Sequence, residues 1–138
     1  MLRRERRYLF GVILVVWVML LLWLTIFGRQ PDNRQCFFIP FQTTTTMPKF
    51  MNWYTVVYLI GGNIFWFIPI GFLTRYVVRI RPWLTIVGAA ALSIVIEACQ
   101  YIFSVGTTDI DDLIYNTLGA VIGVLLFGIA KKRWPHLF

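Results

Sequence analysis

Charge is missing from long tracts of this chain. No charged residue lies between Arg7 and Arg29, none between Lys49 and Arg75, none from Pro82 to Ile96, and none between Asp112 and Lys131. A helix rising 1.5 Å per residue needs about 20 apolar residues to cross about 30 Å of hydrocarbon. The tracts therefore predict four spanning helices at about residues 8–27, 54–74, 83–103 and 113–130. The first reads YLFGVILVVWVMLLLWLTIF and does not alternate polar with apolar residues, which excludes the strands of a membrane barrel. Composition agrees: 59% of the 138 residues are hydrophobic and 14% charged, against about 25% charged in soluble domains. A chain this short has too little interior to hide so much apolar surface from water. An ordinary soluble enzyme, a disordered chain and a disulfide scaffold are all excluded. The expectation is a single all-α membrane domain over residues 1–138, a four-helix bundle with a long loop between its first two helices. The first tract follows RRERR but is long for a signal peptide, and no small-x-small site follows Phe27, so it reads as an uncleaved helix.

Basic residues set the orientation. Ten of the 13 Lys and Arg residues (Arg3, Arg4, Arg6, Arg7, Arg75, Arg79, Arg81, Lys131, Lys132 and Arg133) fall on one side, and Arg29, Arg34 and Lys49 on the other. The richer side is expected to be cytoplasmic, with both termini inside and the segments 28–53 and 104–112 outside. This placement accounts for the net charge of +7 without a nucleic-acid partner, and the basic ends are free to meet anionic lipid headgroups. The long loop carries Phe37, Phe38, Ile39 and Phe41, which are expected to lie at the membrane interface or dip between helices. Trp53, Tyr54, Trp83 and Trp134 sit at span ends, where interfacial aromatics belong. Cys36 and Cys99 fall near the same side, where a disulfide is conceivable but two free thiols are the default, and His136 reads as a solvated residue near the chain end.

The informative residues are polar ones that hydrocarbon should exclude. Asn63 lies about nine residues, roughly 13 Å, inside the second span. Glu97 lies about six residues from the end of the third, Gln100 is one turn further on the same face, and Asn116 is one turn inside the fourth. All four fall in the outer half, just below Asp109, Asp111 and Asp112 in the connection DIDD. A carboxyl at such depth costs a few kcal/mol unless it is paired, hydrated or protonated. Two readings are open: helix glue through carboxyl–carboxamide bonds, or a cavity open to the outside in which Asn63, Glu97, Gln100, Asp109, Asp112 and Asn116 meet a ligand. Asp109 or Thr108 is expected to cap the fourth helix, leaving Asp112 for function. Asp112 and Asn116 share a face that Gly119 and Gly123 continue as GxxxG, a close-packing signature; Gly88, Ala89, Ala90 and Ala91 are expected to let the third helix approach closely too. The acidic spacing matches no cation loop, so neither a metal nor a cofactor is expected. Without a Ser–His or Cys–His pair here, any catalysis rests on Glu97 and Asp112.

The stretch NIFWFIPIGFL (Asn63 to Leu73), the pair Glu97 and Gln100, the block DIDDLIYNTLGAVIG (Asp109 to Gly123) and the Ile39–Phe41 IPF resemble the VanZ-like family. The resemblance covers most of the chain after the first span. It implies a multi-pass protein of the bacterial plasma membrane, of a family named for an accessory factor in resistance to the lipid-tailed glycopeptide teicoplanin. It marks Pro69 and Gly71 as a helix-bending pair. Many members carry an arginine shortly before the acidic motif; Val105 and Thr107 stand here instead, which leaves Arg29, Arg34 or Lys49 to pair a carboxylate. The leading expectation is an outer-leaflet site for the head of a cell-wall lipid intermediate or a lipoglycopeptide, with membrane lipids as partners and self-association left open. The alternatives are a carboxylate-dependent enzyme on an envelope lipid and a non-catalytic structural membrane subunit.

Overall fold

The long uncharged tracts fold as expected. In the computed structural model, which describes residues 3–28, 36–49 and 52–137, helix α1 (Arg3–Leu22) continues into a π-helical turn at Trp23–Phe27. There the Gly28 N–H reaches five residues back to the Trp23 carbonyl at 2.8 Å. The Thr25 hydroxyl bonds back to the Leu21 carbonyl at 2.8 Å. A two-residue strand β1 (Cys36–Phe37) and a short helix α2 (Gln42–Thr46) follow. Helices α3 (Trp53–Val77) and α4 (Pro82–Phe103) come next. A second short strand, β2 (Thr108–Asp109), leads into helix α5 (Ile110–Arg133). Four helices, Arg4–Phe27, Trp53–Val77, Pro82–Phe103 and Ile110–Arg133, are long and apolar enough to cross a membrane. Each contains the span read from the sequence.

The helix ends follow local chemistry. Pro82 sits in the first turn of α4, where a missing N–H costs nothing. Ser104 ends α4 in the left-handed conformation, at φ 54°. Lys131, Lys132 and Arg133 fill the last turn of α5 and oppose the negative end of its dipole. Because Asp109 caps α5, that helix begins at Ile110 rather than Leu113, and Asp111 and Asp112 belong to its first turn.

Helices α3 and α5 both start at the end of the bundle that carries the loops, and they pack in parallel. Their contact is backbone on backbone. A Cβ on Gly119 would collide with the Ile64 carbonyl, one on Gly123 with the Ile68 carbonyl, and one on Gly71 with the Ala120 carbonyl. Gly71 is therefore a close-packing residue. Helix α3 runs on through Pro69, which has no N–H to give. In that turn the Trp17 indole donates to the Trp66 carbonyl at 2.9 Å, which ties α1 to α3 beside the proline.

Leu21, Phe67, Ile70, Ala89, Ile96 and Ala120 form the buried core. Within the small-residue run of α4 only Ala89 joins it: Gly88 and Ala91 are exposed, and nothing lies within 4 Å of a Cβ built on Gly88. Helix α1 keeps a largely bare apolar surface, with Val12, Val16 and Met19 exposed. Its start is tied to the end of α3 by the Arg7 Nε bond to the Val77 carbonyl, 2.6 Å.

The two loop segments meet through a parallel pairing of β1 with β2, Cys36 opposite Thr108 and Phe37 opposite Asp109. Phe38, Ile39 and Phe41 are 69%, 64% and 51% exposed, so they face outward from the bundle and do not dip between the helices.

The glycine contacts predict a graded mutational response. Gly123→Leu forces α3 and α5 apart and should cost about 1–3 kcal/mol or more, as overpacking does. It should lower the melting temperature of detergent-solubilised protein. Gly128→Leu on the same helix, where nothing lies within 4 Å, should leave it within a degree or two of the parent.

Candidate functional site

At the loop end, three successive aspartates are sent in three directions. Asp109 is extended, at φ −135° and ψ 126°, and its carboxylate accepts the Asp111 N–H at 2.9 Å, which caps α5. Asp111 faces the first loop and Asp112 faces α3, because successive residues on a helix point about 100° apart. The cap needs only one acidic side chain, so the other two are free for tertiary work.

Asp111 clamps the long loop. Its carboxylate accepts the Phe41 N–H, the Thr44 N–H at 3.0 Å and the Thr44 hydroxyl at 2.8 Å. Thr44 also meets the Tyr115 hydroxyl at 2.9 Å. Phe41 adopts a left-handed φ of 62°, which turns its N–H and the first turn of α2 toward the carboxylate. With Asp111 only 2% exposed, these charge-assisted bonds offset its desolvation. Sequence reasoning left Asp111, Thr44 and Tyr115 out of the site. Their partners lie about seventy positions apart in the chain, and nothing in a local motif signals such a pairing.

The remaining polar residues converge from three helices. The Asn63 carboxamide of α3 donates to the Asp112 carboxylate of α5. From α4, Glu97 accepts the Asp109 backbone N–H at 2.9 Å, while Asn116 of α5 donates to the Ser93 hydroxyl of α4 at 2.8 Å. Gln100 donates to the Thr25 carbonyl, 3.2 Å away in the π-helical turn. That carbonyl lies in the last turn of its helix, where carbonyls have no intrahelical partner of the ordinary kind. The Gln100 carbonyl oxygen, on a side chain 2% exposed, is buried without a hydrogen-bond partner among the described residues.

Two adjoining cavities open among these groups. A small one of about 30 Å³ is lined by Thr25, Asn63, Glu97, Gln100, Asp112 and Asn116. A larger one of about 100 Å³ reaches toward the loop past Thr44, Asn63, Asp109, Asp111, Asp112 and Tyr115. They share Asn63 and Asp112, so that bonded pair forms the partition between them. All six polar residues singled out in the sequence line one or both cavities. The larger has room for about three waters at roughly 30 Å³ each.

Burial raises the Asp109 carboxyl above its ordinary 3.8, outweighing the Thr43 side chain and the Asp111 N–H that favour its ionised form. Among the described residues no group of three or more His, Cys, Asp or Glu side chains is placed to hold a metal ion. Cys36 and Cys99 are free thiols. Where the family pattern led to an arginine partner, Asp111 draws on backbone and hydroxyl donors. Thr107, at the position considered for that arginine, lines the larger cavity. Lys49 is exposed, and Arg29 and Arg34 lie outside the described residues.

Fold and site together define a four-helix protein of membrane-spanning character whose carboxylates and carboxamides cluster at the loop end. The chain belongs to the VanZ/LLP1 family, whose model matches residues 9–131. Protein VanZ of Enterococcus faecium is 28% identical over 130 residues, covering 88% of this chain and 74% of that protein. No solved structure matches.

Two outcomes follow. Asp111→Asn keeps the shape but removes the charge that three donors address, and bonds to a charged group are worth about 1.5–3 kcal/mol. Amide exchange in residues 41–45 should rise at least ten-fold, with little change in the middle of α5. Asp109→Asn retains a good cap, since Asn and Asp cap alike. The raised pKa means that the native state holds this proton more tightly than the unfolded chain does. The associated stability is therefore full below pH 3.8 and is lost as pH rises through the higher native value. The fall in melting temperature from pH 4 to 7 should be smaller in Asp109→Asn than in the parent.

Proposed function

We propose that this protein binds the polar head of an envelope amphiphile at its loop end, within the outer leaflet of a bacterial plasma membrane. Both termini are then cytoplasmic, as the asymmetry of basic residues requires. The observation that carries the reading is the pair of adjoining cavities that share Asn63 and Asp112, with the buried Gln100 carbonyl oxygen meeting no donor among the described residues. Such an acceptor suits a hydroxyl, amide or ammonium group, or a water held beside one. The exposed Phe38, Ile39 and Phe41 stand next to this mouth, since Asp111 holds Phe41 by its backbone. A tail beside those side chains and a head toward the cavities fit an amphiphile such as a cell-wall lipid intermediate or a lipoglycopeptide.

The division of labour among the polar groups sharpens the assignment. Asp109 caps, Asp111 clamps the loop, and Asn116 ties α5 to α4. Asn63, Glu97, Gln100 and Asp112 are the groups proposed to meet the head. Membership of the VanZ/LLP1 family supports a role in glycopeptide resistance or envelope homeostasis through this site.

Glu97→Gln and Asp112→Asn, expressed to the level of the parent, should each lower teicoplanin resistance of a sensitised host at least four-fold in inhibitory concentration. Thr117→Val, whose hydroxyl only bonds back within α5, should leave it unchanged. Parental susceptibility in both carboxylate variants, at matched amounts of folded protein, would refute the site.

A further inference from the structure

A second kind of cavity lies at the opposite end of the bundle from the carboxylates. It is a groove of about 850 Å³ along α1, lined by Arg4, Arg7, Tyr8, Val12, Val15 and Val77 among others. Its floor is aliphatic and its end is cationic. From Arg4 to Val16 the groove follows α1 for about 18 Å at 1.5 Å per residue. Half of the hydrocarbon thickness is about 15 Å, so one acyl chain and its headgroup match this length.

The two arginines are held rather than left to sweep through solvent. Arg7 gives its Nε to the Val77 carbonyl at 2.6 Å. That bond fixes the plane of the guanidinium and leaves its two terminal nitrogens without a partner among the described residues. Arg4 sits over the Tyr8 ring, 5.6 Å from its centroid, and bonds the Tyr8 hydroxyl at 3.3 Å. A pre-oriented guanidinium suits a phosphate, whose oxygens accept two parallel N–H bonds.

The geometry points to a site for one anionic phospholipid, its phosphate on Arg4 and Arg7 and an acyl chain along Val12 and Val15. Charge complementarity selects an anionic head over a zwitterionic one. The leaflet is the one on the side of the termini, so the inference is independent of the carboxylate site and of any ligand bound there.

The test is native mass spectrometry of the detergent-solubilised full chain titrated with phosphatidylglycerol or phosphatidylcholine. One phosphatidylglycerol should bind about ten-fold more tightly than phosphatidylcholine, the order expected of two basic groups facing an anionic head. Arg4→Gln with Arg7→Gln should abolish that preference. Val12→Trp, which fills the groove with charge unchanged, should lower phosphatidylglycerol affinity and so tests the site even if the arginine variant folds poorly. Lys131→Gln with Lys132→Gln, at the same end but outside the groove, should leave the preference intact. Undiminished phosphatidylglycerol affinity in Val12→Trp, or an equal loss of preference in the lysine variant, would overturn the groove in favour of diffuse surface charge.

Discussion

The structure hangs on how closely the backbones of α3 and α5 approach. Gly71, Gly119 and Gly123 each present a bare Cα to the carbonyl of the facing helix. No larger side chain fits, and the two helices meet at backbone distance over several turns. Between helices in lipid, such packing carries association, because burying apolar side chains there gains little over leaving them among acyl chains. The close approach also brings the short Asn63 side chain within reach of Asp112. A wider interhelical gap would leave both groups stranded in an apolar medium, where unpaired polar groups cost several kcal/mol.

From that contact the loop end assembles outward. Asp112 is fixed by α3, Asp109 by its own helix cap, and Asp111 by the loop that it organises. Three acidic residues in a row of four would repel one another if they converged. The helical rotation separates them, and each finds its own donors. The π-helical turn at the end of α1 contributes in the same way: its Thr25 carbonyl accepts from Gln100, which ties the first helix to the last turn of α4. Polar groups here do the work of specific registration that apolar contacts, being non-directional, do not supply.

The two ends of the bundle have opposite electrostatic character. The loop end gathers carboxylates and carboxamides around small, partly enclosed cavities. The end with the termini carries Arg4 and Arg7 on an open apolar groove, with Lys131 and Lys132 outside it. A chain with so little interior places its chemistry at these ends because the middle of each span is committed to lipid and to helix packing.

The four helices, and the residues worth asking about, were legible in the chain itself. Uncharged tracts of 15 to 25 residues leave few ways to satisfy a backbone in lipid, and a glutamate or asparagine within such a tract advertises itself by its cost. The role of Asp111 was not legible. It depends on Phe41 and Thr44, about seventy residues away in a loop whose conformation no periodicity encodes. That the Ala120 backbone stands against Gly71 was not legible beside Pro69, and the Gly88 run looked like a contact face although only Ala89 joins the core. Hydropathy and charge act residue by residue, so sequence determines which segments cross and which side chains are costly. Which of those side chains meet is a matter of helix rotation and approach, and only the packed structure decides it.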